Sequence, residues 1–277
     1  MREKKFFVLP RYSLLRRLTL LIVLTLFILQ LFRVKVLVGG LSGSLLISWI
    51  KLLDPFAYLE SLLASKNFNL QTLWAVLPVL LIYFIFGRSF CGWICPMDLL
   101  FGLLDRLKVP YRFSIAQRIS SSLGFLVFFS FLGLSFFFSL PLFTNYFSHL
   151  TNFFRAITGI YFFLFDLPVD LSLLVYSLSL ILFLLIMELI LPRFWCRILC
   201  PVGKFYGLLN KVSLLHLRYK EGECFHCRLC DRQCYMGVNV SQNVGKGKLR
   251  SQDCIYCGNC VEACETKGKI VKFKIGV

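Results

Sequence analysis

Twelve cysteines fall in four tight groups along a chain of 277 residues, with none scattered between them. Disulfide frameworks spread their cysteines, whereas metal and cluster sites bunch them; the grouping points to metal and to a face where thiols stay reduced. Two groups share the spacing Cys-x-x-Cys-x-x-Cys-x-x-x-Cys: Cys224, Cys227, Cys230 and Cys234, then Cys254, Cys257, Cys260 and Cys264. An iron–sulfur cube needs four thiolates. Three closely spaced cysteines on a tight loop reach three irons, and in two-cluster ferredoxins the fourth ligand comes from the other motif. The expected sets are therefore Cys224, Cys227, Cys230 and Cys264 for one 4Fe–4S cluster, and Cys254, Cys257, Cys260 and Cys234 for the other. Paired zinc knuckles are the alternative for Cys-x-x-Cys pairs, and the doubled four-cysteine run weighs against them. Tyr235 and Glu265 stand where each motif normally closes with Pro.

The remaining four cysteines form a repeat. Phe90-Cys91-Gly-Trp-Ile-Cys95-Pro96 and Trp195-Cys196-Arg-Ile-Leu-Cys200-Pro201 lie 105 positions apart, and the likeness runs on to Gly102-Leu-Leu against Gly207-Leu-Leu. Each follows a long apolar run, so the membrane part reads as a duplicated two-span unit. Cysteines at i and i+4 on a helix share one face, so each pair could act together. Cys91, Cys95, Cys196 and Cys200 are then either ligands of one further metal or cluster at a pseudo-twofold, or redox-active thiol pairs. Small buried hydrophobes in a packing motif are the plain alternative.

These sites need elements to hold them. Hydrophobic residues make up 58% of the chain and charged residues 16%, and Phe alone contributes 30, so the solvent is partly lipid. Four apolar runs are candidate transmembrane helices: about 18–31, 70–86 with Pro78 inside, 119–140 and 171–191. The first follows a basic N-terminus, but no small-residue cleavage site comes after it, so a retained anchor is expected rather than a signal peptide. Residues 1–17 hold six basic residues and 192–223 another six, whereas 141–170 has Arg155 opposed by Asp166 and Asp170. The net charge of +17 thus reads as an orientation signal rather than nucleic-acid binding, with both termini cytoplasmic. The expected fold is an α-helical membrane domain of four transmembrane helices (18–213) after a basic cytoplasmic segment (1–17). A small α+β two-cluster ferredoxin-like domain (214–277) follows, closed by strands at 214–219 and 270–275. The apolar, Gly-punctuated segment 36–69 and the segment 157–169 are expected on the outer face as surface or re-entrant elements.

With these motifs the chain resembles the NapH family, the membrane quinol-dehydrogenase subunit of periplasmic nitrate reductase systems. The resemblance runs from about residue 14 to 275 and includes Gly40-Leu-Ser-Gly-Ser-Leu-Leu46, Asp54-Pro55, both Cys-x-x-x-Cys-Pro motifs and both ferredoxin runs. Related membrane ferredoxins of methylamine utilisation and cytochrome oxidase maturation share the cysteine motifs. The resemblance implies quinol oxidation at the inner (cytoplasmic) membrane, electron transfer toward a periplasmic reductase, and iron–sulfur or cytochrome partner subunits. A redox maturation factor that reduces a metal or thiol during assembly of a respiratory enzyme is the alternative reading, and a non-redox metal sensor a third.

Quinol oxidation releases protons, so a carboxylate is wanted near an apolar cleft. Asp54 and Glu188 are the candidate proton acceptors; Glu188 sits within the last span, where an acid is costly, and Arg193 is its candidate partner. Asp54, Glu60 and His149 fall on the outer face in this topology. His149, His216 and His226 lie in separate regions, which argues against bis-histidine haem, and His226 is expected to tune a cluster by hydrogen bonding. No phosphate-binding loop or dinucleotide fingerprint is present, so NADH is not expected as direct donor.

Overall fold

The computed structural model describes residues 11–32, 37–40, 43–47, 50–104, 121–219, 224, 227–265 and 270–276. The expectations for residues 1–10 of the basic N-terminus and for His226 lie outside them.

Helix α1 (Arg11–Leu31) is followed by an antiparallel meander, β1 (Leu37–Gly39), β2 (Ser44–Ile47) and β3 (Ile50–Leu53). Then come α2 (Pro55–Ser65), α3 (Leu70–Phe86), α4 (Ser89–Trp93), α5 (Pro96–Leu104) and α6 (Leu123–Phe138). A π-helical turn at Phe143–Phe147 leads into α7 (His149–Leu164) and α8 (Leu171–Ile190). A second π-helical turn at Trp195–Leu199 opens into α9 (Pro201–Leu209). The rest is a small α+β unit: β4 (Leu215–Tyr219), α10 (Leu229–Arg232), β5 (Lys248–Leu249), α11 (Asn259–Glu265) and β6 (Val271–Ile275). Strand β4 is central and antiparallel to both neighbours, with Leu217 opposite Leu249 and Phe273.

Helices α1 and α8, of 21 and 20 residues, are long and apolar enough to cross a bilayer. Helices α3, of 17 residues, and α6, of 16, are shorter apolar helices. Pro78 lies inside α3 without ending it. The third expected span is helical over 123–138; it stops at Ser139, whose φ of 55° leaves the right-handed helix, and 119–120 lie outside the described residues. Ile22, Trp74, Leu126, Phe129, Phe137 and Phe183 point outward from these four helices and are exposed. Such an apolar belt is what lipid covers.

Capping explains where several of the helices begin. Asp54 caps α2 through the bond from Ala57 N to Oδ2 (3.3 Å), with Pro55 at the first helical position. Ser148 caps α7, and Asp170 caps α8 by accepting from Ser172 N and Leu173 N. Pro96 and Pro201 open α5 and α9 in the same way, since proline's missing N–H is no loss there.

Candidate metal centre

The cysteine runs sit on short loops and helices around the β4–β6 core, where Cys224, Cys230, Cys234, Cys254, Cys257 and Cys264 pack against Val238, Val240, Ile255 and Val261. Cys234, Cys254, Cys257 and Cys260 line one cavity, whose other walls are mostly apolar and include Leu217, Met236 and Phe273. That is the set expected from the spacing. Cys264 comes within electrostatic reach of Cys230, as crossed ligation requires, and Cys227 is exposed. Burial pushes the Cys234 thiol up to about 12 and the Cys230 thiol up to about 11. Ligation of iron would release those protons. Among the described residues no three His, Cys, Asp or Glu side chains form a single-ion site. A cube spreads its thiolates over four irons, so four cysteines around an apolar cavity fit a cluster.

The two Cys-x-x-x-Cys-Pro motifs meet each other. Cys95 lies in electrostatic reach of Cys91 and Cys200, Cys196 of Cys95 and Cys200, and Cys200 of Cys91. Cys95 and Cys200 pack into the core of the helical bundle, Cys91 packs against the core around β4–β6, and Cys196 touches both. The quartet therefore occupies the seam between the domains. The motifs are not single α-helices, as the i,i+4 reading supposed. In each, the second cysteine's N–H reaches back five residues, Cys95 N to Phe90 O (3.0 Å) and Cys200 N to Trp195 O (2.8 Å). The cause is the following proline, which disfavours helical backbone at the residue before it.

Donors surround the quartet. Arg88 hydrogen-bonds Cys91, Gly203 N donates to Cys200 Sγ (3.4 Å), and His149 Nε2 lies 3.7 Å from Cys95 Sγ. Trp195 Nε1 donates to His149 Nδ1 at 3.1 Å. An indole N–H only donates, so Nδ1 is the bare nitrogen and Nε2 carries the proton toward sulfur. Burial lowers His149 to about 4, which keeps it neutral. Burial also raises all four thiols, Cys200 to about 12. Reactive thiolates have lowered pKa values and partial exposure, so this environment suits ligands better than exchanging thiols.

Two arginines at equivalent positions of the repeat fix the ferredoxin unit to the bundle. Arg88, fully buried, donates to Gln252 O (3.0 Å) and to Cys196 O, and lies 3.5 Å from Asp253. Lys204 (3.0 Å) and Arg197 (3.6 Å) also hold Asp253, next to Cys254. Burial would raise this carboxyl, but Arg88 and Lys204 outweigh it and hold it below its usual range. Arg193 bonds Asp98 at 2.6 Å and stacks over the Tyr235 ring at 4.3 Å, next to Cys234. Arg16 joins from α1, 3.3 Å from Asp98 and bonded to the Tyr235 hydroxyl. Close approach completes the fit: a Cβ on Gly92 would meet Ile255 O at 2.7 Å, and one on Gly207 would meet Gln252 O at 2.6 Å.

The candidate carboxylates part company. Both Glu188 oxygens accept from Arg193 N at 2.9 Å, which ties them to a docking residue. Asp54 accepts from the Tyr206 hydroxyl and carries a carboxyl that desolvation raises to about 7. Asp54 and His149 were expected at the end away from the cysteine motifs. They stand beside the motifs because α2 and α7 begin there, at their N-caps. Arg88, Asp253 and Tyr235 were not singled out as candidates for the site, and Arg193 only as a partner of Glu188; the 105-residue offset that pairs the cysteines also pairs the arginines.

Fold and site define a ferredoxin-type iron–sulfur electron-transfer protein. The sequence model of a family described as "4Fe-4S binding domain" matches residues 70–113 and 173–220, one match around each Cys-x-x-x-Cys-Pro motif. The ferredoxin-type protein NapH of Haemophilus influenzae is 31% identical over 268 residues, 93% of this chain and 88% of the relative. The chain belongs to the NapH family of ferredoxin-type proteins. The methylamine utilization ferredoxin-type protein MauN of Methylorubrum extorquens is 28% identical over 256 residues, 90% of this chain and 85% of the relative. The regulatory protein NosR of Pseudomonas aeruginosa is 28% identical over 187 residues, 64% of this chain and 24% of the relative. No solved structure matches.

Proposed function

We propose that the chain is a four-span inner-membrane protein with both termini cytoplasmic, which takes electrons from quinol and passes them to a respiratory reductase system. Two 4Fe–4S clusters belong to the C-terminal unit, and the quartet Cys91, Cys95, Cys196 and Cys200 holds a third centre. When bound, these centres supply one-electron transfer. The observation that carries the reading is contiguity: Cys91 and Cys196 pack against the C-terminal core, Gly92 and Gly207 of their motifs meet the backbone of the 252–256 loop, that loop carries Cys254 of the cavity set, and Cys230 and Cys264 lie within electrostatic reach of each other. The two family-model matches agree, because each brings two of the four cysteines that a cube needs.

The chain's own residues hold and tune. Arg88 and His149 aim N–H groups at the quartet sulfurs, which raises the potential of a centre held there. Asp54, with a pKa near neutrality, is the better placed proton acceptor, and Glu188 anchors Arg193. Partner electron-transfer subunits take up the electrons.

The test is low-temperature electron paramagnetic resonance on anaerobically purified protein, before and after a reduced quinol analogue. Reduced-cluster signals with quinol are expected, with iron above the roughly eight atoms that two cubes hold. Reduction by dithionite but not by quinol, with cluster potentials in a quinol's range, would move the redox maturation factor ahead.

A further inference from the structure

A cavity of about 630 Å³ lies between Gly40 and Gly43 on one side and helices α7 and α8 on the other. Gly40, Gly43, Thr144, Thr151, Phe154 and Arg155 line it. Its size falls in the range of small-molecule sites. We infer that this cavity is the binding site for the quinol head group; the inference rests on the quinol reading above and names the site that reading lacks.

Two walls of the cavity lead to the quartet. On one side Gly43 O accepts from Asp54 N (3.1 Å), and Asp54 lies in electrostatic reach of Cys91. On the other, Thr151 is two residues from His149, about 3 Å of helix rise, and His149 Nε2 meets Cys95 Sγ. The polar groups suit a neutral, hydroxyl-bearing ligand. Arg155 and Asp170 oppose each other in charge at the wall. Thr144 Oγ1 gives its proton to Glu60, a fully buried carboxylate that also accepts from Phe143 N (2.7 Å) and Thr144 N (3.0 Å). Its lone pairs are left to accept from a quinol hydroxyl, with Glu60 one bond behind. Phe154, Phe162 and Leu173 supply apolar contact for ring and tail.

The backbone permits a direct probe. A Cβ at Gly43 has nothing within 4 Å, so Gly43→Phe adds bulk at the cavity lining without a clash at the Cβ. Full-length protein in detergent would be photolabelled with a decyl-tailed azidobenzoquinone, with decylbenzoquinol as competitor, and the labelled peptides mapped. Thr158→Phe approaches from the opposite wall. Variants are compared once their iron content and thermal unfolding match the parent. Label on 143–162 that the quinol competes away, and that falls about tenfold in either variant, is the expected result. Competable label elsewhere, label that quinol does not displace, or variants labelled like the parent overturn the site. If quinol still reduces the clusters in that case, the proposed function stands without this cavity. If quinol neither labels nor reduces the parent, both fall.

Discussion

At the residue scale the cysteines are only as useful as the groups that hold them in place. His149 is fixed as its Nε2–H tautomer by Trp195, and His149→Leu leaves the buried indole N–H without an acceptor. The expected cost is about 1–3 kcal/mol in denaturant unfolding. A lower midpoint potential for the quartet centre, read by redox titration, is expected with it, because sulfur loses a hydrogen bond. Asp253→Ala removes the carboxylate that Arg88, Arg197 and Lys204 share, and a broken buried pair costs about 3–5 kcal/mol in the same measurement. Asp54 makes a pH prediction. Its folded pKa of about 7 stands above the ordinary value of about 4, so its protonated form favours folding. That stability is full below about pH 4 and is lost as pH rises toward 7; in Asp54→Asn the melting temperature should lose this slope. The candidate ligands stood out in the sequence because cluster chemistry favours that spacing. Tyr235 and Asp253 did not, since their partners Arg193 and Arg88 come from 42 or more positions away in the chain and only folding pairs them.

At the scale of elements, the repeat builds the seam. Each half of the bundle ends in a Cys-x-x-x-Cys-Pro break followed by a short helix, and the glycines on those pieces let the 252–256 loop sit against backbone. Gly92→Val or Gly207→Val should lower stability by about 1–3 kcal/mol through overpacking and raise the accessibility of Cys254 to a thiol reagent, measured by melting and by labelling of the iron-free protein. The long apolar helices and the β4–β6 pair were readable from hydropathy and alternation. The short helices α2 and α7 were read as outer-face segments because their composition is apolar without being long. What places their N-termini at the motifs is the Asp54 and Ser148 caps together with tertiary packing.

At the scale of the whole molecule, composition and charge already spoke for lipid, and the outward belt of Phe, Leu and Trp agrees. Orientation remains to be measured: tags on either terminus should be digested by protease added to inside-out vesicles and protected in right-side-out ones. The grip of Arg88, Arg193 and Arg16 on residues beside Cys254 and Cys234 has a mechanical consequence. Some electron carriers swing a domain between donor and acceptor. Here the C-terminal unit is pinned at the residues that flank its own ligands, so any swing would first break buried ion pairs. The C-terminal unit is held fixed, so a redox partner would have to come to it, and Cys227 is its exposed cysteine among the described ones.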